Sequence, residues 1–135
     1  MFTTKVWPQV GRYLFPQHRG LTPAEGAPGL AADVLDRVGG IDYLVDTGVG
    51  LLPMSTRVQP DRGYRTVTVS AGQAARLQGP AWAAAPALYL HAYVDPGGEQ
   101  PAAVLWVWAL DLVTALATAP AVHGPDGTTF WAVGT

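Results

Sequence analysis

The stretch from Ile41 to Val58, IDYLVDTGVGLLPMSTRV, constrains the fold more than any other part of the chain. Apolar and polar residues alternate on both sides of Thr47-Gly48-Val49-Gly50, the period-2 pattern of two half-buried strands joined as a hairpin. A turn centred between Gly48 and Val49 sets Asp42 opposite Ser55. Arg57 is then the diagonal neighbour on the same sheet face, within reach of a long side chain. Ile41, Tyr43 and Val45 point the other way, so one face serves the core while the other carries a carboxylate and a guanidinium.

On the N-terminal side, Val6, Trp7, Val10 and Leu14 recur at helical spacing between Lys5 and Phe15, with Pro8 tolerable in a first turn. Pro16 to Pro28 reads as an irregular connection, although Thr22-Pro23-Ala24-Glu25 carries the cap and proline pattern of one helical turn. Gly29 to Val38 predicts a brief helix that Gly39-Gly40 ends. After the hairpin, Gln59 to Gly63 predicts a turn, Tyr64 to Ser70 a third strand, and Ala71 to Gln78 a helix stopped by Gly79-Pro80 and crossing over the sheet. Ala87 to Val94 and Ala102 to Leu110 read as a strand pair joined through Asp95-Pro96-Gly97-Gly98. Asp111 is placed to cap a helix from Leu112 to Thr118. Pro125-Asp126-Gly127 makes a turn, and Thr129 to Val133 a last short strand. This order predicts an α+β fold, an α/β sandwich in which a single mixed sheet is flanked by helices.

A chain of 135 residues suits one domain with a sizeable core. Residues 1–28 form its N-terminal helix and irregular connection, and 29–135 its core. Only 13% of the residues are charged, against about a quarter in ordinary soluble domains, so much of the surface must be Ala, Gly, Pro, Thr and aromatic, which makes self-association plausible. No cysteine is present. That removes disulfides and thiolate chemistry and makes a cytoplasmic location the default expectation. Met1 to Gln9 lacks the apolar run of a signal peptide. Ala102 to Ala119 is the one long apolar run, but Asp111 interrupts it and its length is at the short end of what a bilayer needs. A buried strand running into a helix is the reading, with no membrane partner.

The charges are unevenly placed. All eight basic residues fall within the first 76 positions, against six acids there, while the remainder has four acids and no Lys or Arg. Arg57, Arg62, Arg65 and Arg76 gather in and after the hairpin, where a basic patch could meet phosphate, although ordinary solvated surface carries such residues too. Asp36 and Asp42, six apart, could converge at the start of a strand and offer oxygen ligands to Mg²⁺. The plainer alternative leaves Asp36 at an exposed helix end and pairs Asp42 with Arg57. His91 lies in an apolar strand and reads as a satisfied core histidine. His18 and His123 have no partner at zinc-ligand spacing. The aromatic residues could stack bases, though Trp106 and Trp108, on one face of a strand, suit core or interface packing.

The helix carrying Asp36, then Gly40-Ile41-Asp42-Tyr43, the strand ending Ser55-Thr56-Arg57-Val58, and Tyr64-Arg65-Thr66-Val67-Thr68-Val69-Ser70 together resemble degenerate PD-(D/E)XK nuclease-like proteins, including small phage ones. Gly72-Gln73-Ala74-Ala75-Arg76-Leu77 looks like that family's helix after the sheet. Leu88 to Tyr93 and Trp106 to Leu112 look like its later strand pair and the next helix start. The resemblance covers Asp36 to Leu112. It implies a restriction-endonuclease-like core, Mg²⁺ held by Asp42 and a second acid, Asp36, and a basic side chain, Arg57, near an attacking water. Gln73 would face the site alongside Arg57, Arg62, Arg65 and Arg76 as nucleic-acid contacts. This chain departs from the pattern at Ser55-Thr56-Arg57, where active members have acid, any residue, then Lys. Serine replaces a carboxylate ligand poorly, and arginine stays protonated, so Arg57 can hold phosphate but cannot serve as a base. The expectation is a small nuclease-fold protein that contacts nucleic acid, with metal-dependent phosphodiester hydrolysis at a degenerate site. The alternative is a non-catalytic module on the same scaffold that binds a protein partner or a second copy.

Overall fold

A computed structural model describes residues 2–24, 40–63, 65–79, 85–97, 100–119, 121–123 and 129–133. A π-helical turn, Phe2–Val6, runs into α1, Trp7–Leu14. Then come β1 (Gly20–Pro23), β2 (Tyr43–Asp46), β3 (Leu51–Pro60), β4 (Val67–Ser70), α2 (Ala71–Gln78), β5 (Leu88–Val94), β6 (Pro101–Trp108), α3 (Ala109–Leu116), β7 (Ala121–His123) and β8 (Thr129–Val133). The fold is mixed α+β. A five-stranded sheet runs β1-β2-β3-β5-β6, and a three-stranded sheet runs β4-β8-β7.

The hairpin forms in the register its turn implies, with Tyr43 paired to Met54 and Asp46 to Leu51. Gly48, at φ +90°, takes the left-handed position in the turn, and its N–H donates to the Asp46 carboxylate at 2.9 Å. β3 and β5 are parallel, whereas every other neighbouring pair is antiparallel. All seven residues of β5 are buried, as suits a central strand covered on both faces.

One face of the large sheet presents Val45, Met54, Leu88, Leu90 and Ala92 to Phe2, Val6, Trp7 and Val10 of the N-terminal helical segment. The apolar spacing of Val6, Trp7 and Val10 makes that segment a lid. Its fit depends on Gly11, since a Cβ there would lie 2.7 Å from Cε2 of the Trp7 ring. Gly11→Ala is therefore expected to destabilise the fold by about 1–3 kcal/mol through overpacking, despite alanine's better helix propensity. Urea unfolding checks this, and an unchanged or raised midpoint would refute it.

The other face of the sheet carries Tyr89, Leu105 and Val107. These meet Val67 and Val69 of β4, Ala74 and Leu77 of α2, and Leu112 and Leu116 of α3. Ser70 starts α2 with a capping box: Gln73 N–H donates to Ser70 Oγ, and Gln73 Oε1 accepts from Ser70 N–H.

Three expectations need correction, and one strand has no expected counterpart. The strands do not form a single mixed sheet. β2 and β5 occupy the two sides of β3, so the third strand cannot join there and enters the second sheet, where its alternating Val67 and Val69 still reach the core. Thr22 and Pro23 belong to β1, because β2 offers its other edge to that segment, and helical conformation begins only at Ala24. The last helix begins at Ala109, so Asp111 lies in its first turn instead of capping it; an acid there still favours the positive end of the helix dipole. β7 was not anticipated. The helix expected over Gly29–Val38, with Asp36, and the turn at Pro125–Gly127 lie outside the described residues. No described helix is long and apolar enough to cross a membrane.

Candidate functional site

Along β3, Ser55, Arg57 and Gln59 share the sheet face with Tyr89, His91 and Tyr93, the residues paired with them on β5. Ser55 and Tyr89 are buried, Tyr89 against α2 and α3, but Arg57 reaches solvent. Its Nη1 donates to Thr68 Oγ1 of β4 at 3.0 Å, bridging the two sheets. Beside it, His91 is 4% exposed, and its Nδ1 accepts from Thr68 N–H at 3.4 Å. Burial, reinforced by the Arg57 charge and only partly offset by a backbone contact with Thr66, pushes the His91 pKa down to about 4. The Tyr93 hydroxyl accepts from Thr66 N–H and donates to Thr66 O. Arg57, Gln59, Pro60, Arg62 and Tyr93 line a pocket of about 280 Å³ that opens beside this seam.

Asp42 lies at the start of the hairpin. Its N–H donates to Met54 O at 2.9 Å, and its Oδ2 accepts from Thr56 N–H at 2.8 Å. The carboxylate is thus engaged by the β3 backbone, while Arg57 reaches across to β4. Among the described residues the ion pair joins Asp61 to Arg65, at 2.8 Å. Hydrogen bonding from Arg65 holds the Asp61 carboxyl below its ordinary pKa, and Asp61 raises that of Arg65.

The expected basic cluster therefore divides. Arg57 and Arg62 share the pocket, Arg65 is committed to Asp61, and Arg76 sits on α2 near Gly40, where a Cβ would come within 3.3 Å of its Nη1. Burial pushes the Tyr89 pKa up to about 12, and the Arg76 charge moderates that rise. Gln73 is occupied in capping α2. His18 packs edge-on against Trp7, with ring centroids 5.3 Å apart.

Among the described residues no group of three or more His, Cys, Asp or Glu side chains could hold a metal ion. Across from Asp42 stands the buried Ser55, a neutral hydroxyl where a second carboxylate ligand would stand. The other acid of the expected pair, Asp36, lies outside the described residues.

That Thr68, His91, Gln59 and Tyr93 are neighbours of Arg57 cannot be read from local sequence. Period-2 spacing puts Tyr89, His91 and Tyr93 on one face of their strand. The missing information was the parallel pairing of β3 with β5, which joins residues 34 positions apart. No protein-family model, curated protein or solved structure matches the chain.

Proposed function

We propose that the chain is a non-cleaving binding module that contacts the phosphates of nucleic acid through Arg57 and Arg62. The supporting observation is that Arg57 and Arg62, both exposed, line one pocket together with Gln59. Thr68 fixes the orientation of Arg57 with one hydrogen bond, and the remaining N–H donors of the guanidinium stay available to a phosphate oxygen. Arg57 also cannot deprotonate to act as a base. Kinship with PD-(D/E)XK nucleases belongs to this proposal on two grounds: the hairpin register, and the packing of Ala74 and Leu77 with Tyr89 across the large sheet. The placement of β4 in a second sheet counts against that kinship, but phosphate contact does not depend on it.

Fluorescence anisotropy with labelled single- and double-stranded oligonucleotides over a salt series tests the reading. Affinity should fall as salt rises, with little dependence on sequence. Each of Arg57→Ala and Arg62→Ala should reduce the slope of log K against log salt by about one. An absence of salt-sensitive binding, or an unchanged slope in the double variant, would refute it. Plasmid incubated with Mg²⁺ or Mn²⁺ should stay intact; cleavage that disappears in Asp42→Ala would restore the hydrolytic alternative.

A further inference from the structure

The large sheet ends on β6, and no described strand pairs with its outer side. The hydrogen-bonding pattern shows which backbone groups face outward. Ala109 N–H donates to Ala87 O at 2.8 Å, in step with the pairing of Leu88 to Trp108 and of Tyr93 to Ala103. The odd-numbered residues Ala103, Leu105 and Val107 therefore bond inward to β5. Val104, Trp106 and Trp108 turn their N–H and C=O groups away from the sheet.

The other described edges are blunt. β1 has four residues, starts at Gly20 with φ +152° and ends in Pro23. β4 and β7 have four and three residues. β6 has eight, with proline only at its first position and no charge. Exposed strands of this kind are normally shielded by charge, proline or a covering element.

We propose that β6 pairs antiparallel with β6 of a second copy across a two-fold axis, joining the two large sheets into one. The occupant follows from symmetry, because an antiparallel edge is complementary to itself under a two-fold operation. With Leu105 on the axis, outward-facing residues meet outward-facing residues. Val104 stands opposite Trp106 and Ala102 opposite Trp108, so each indole faces a smaller side chain on the same side of the sheet. No like charges meet along the seam, and the strand offers a charged partner nothing to pair with. Trp106 and Trp108 are 40% and 38% exposed. Tyr13, edge-on to Trp106 at 5.6 Å, extends the apolar surface that the second copy covers.

Sedimentation velocity of the full chain over a concentration series tests this. A monomer–dimer equilibrium is expected. Val104→Pro removes an outward N–H without touching the ladder to β5, and Trp106→Lys places two like charges beside the axis. Each should weaken dimerisation at least about tenfold, since symmetry applies every loss twice, with the far-UV circular dichroism of the wild type. Val49→Lys, at the fully exposed hairpin tip, should dimerise normally. A monomer at every concentration, a dimer that survives both β6 variants with native spectra, or assemblies that grow beyond the dimer would each overturn the proposal.

Discussion

Stability is expected to fall by roughly 3 kcal/mol as pH is lowered from 6.5 to 4, the interval between the ordinary histidine pKa and that of buried His91. In the folded chain His91 stays neutral across this interval, because protonation would charge a buried ring beside Arg57 and put a proton on the Nδ1 that accepts from Thr68. The unfolded chain takes up that proton, so it binds more protons than the native state and gains on it as pH falls. The contribution is complete above pH 6.5 and is lost progressively down to pH 4. Urea unfolding at a series of pH values should show a slope approaching 1.4 kcal/mol per pH unit within the interval. In His91→Gln, where an amide oxygen can still accept from Thr68, the slope should largely vanish. An equal slope in that variant would transfer the effect to the carboxylates and remove His91 from the seam between the sheets.

What could be read from the sequence, and what could not, follows from the range of each interaction. The Thr47–Gly50 turn and the alternation on either side of it set the hairpin register locally, so the pairing of Tyr43 with Met54 was legible. The helix at Ala71–Gln78 is legible too, because its helix formers and the Gly79-Pro80 stop are neighbours in the chain, while its Ser70 capping box emerges only in the structure. β4 is legible as a strand but not as a member of the small sheet: alternation reports that one face is buried, never which strand lies alongside. The candidate site failed in the same way. Arg57 is legible as a site residue, but its setting of Thr68, His91 and Tyr93 comes from β4 and β5, brought in by a parallel crossover that leaves no local signal. The expected partnership with Asp42 rested on strand parity alone. Parity gives the face and not the direction of a long side chain, and Arg57 turns towards β4.

Leu112→Ala is expected to cost about 2–5 kcal/mol, the range for deleting a large aliphatic side chain from a packed interior. Leu112 has no exposed surface. It lies on α3 within the cluster that joins Val67 and Val69 of the small sheet, Ala74 and Leu77 of α2, and Tyr89 of the large sheet. A void there loosens three elements from one another, so little collapse can recover the lost contacts. Leu90→Ala offers a comparison of the same chemistry, because Leu90 is also fully buried but faces the N-terminal lid. Since β5 contributes Leu90 to one cluster and Tyr89 to the other, the two layers share a strand and should unfold together. Both variants should therefore lower the urea midpoint in a single transition, with near- and far-ultraviolet circular dichroism coincident and the m-value unchanged. A Leu112→Ala transition that splits, with near-ultraviolet signal lost before the far-ultraviolet signal, would show that the small sheet and α3 are held as a separately melting layer. The bridge from Arg57 to Thr68 would then be too weak to couple the sheets, and the pocket beside it would open before the rest of the fold.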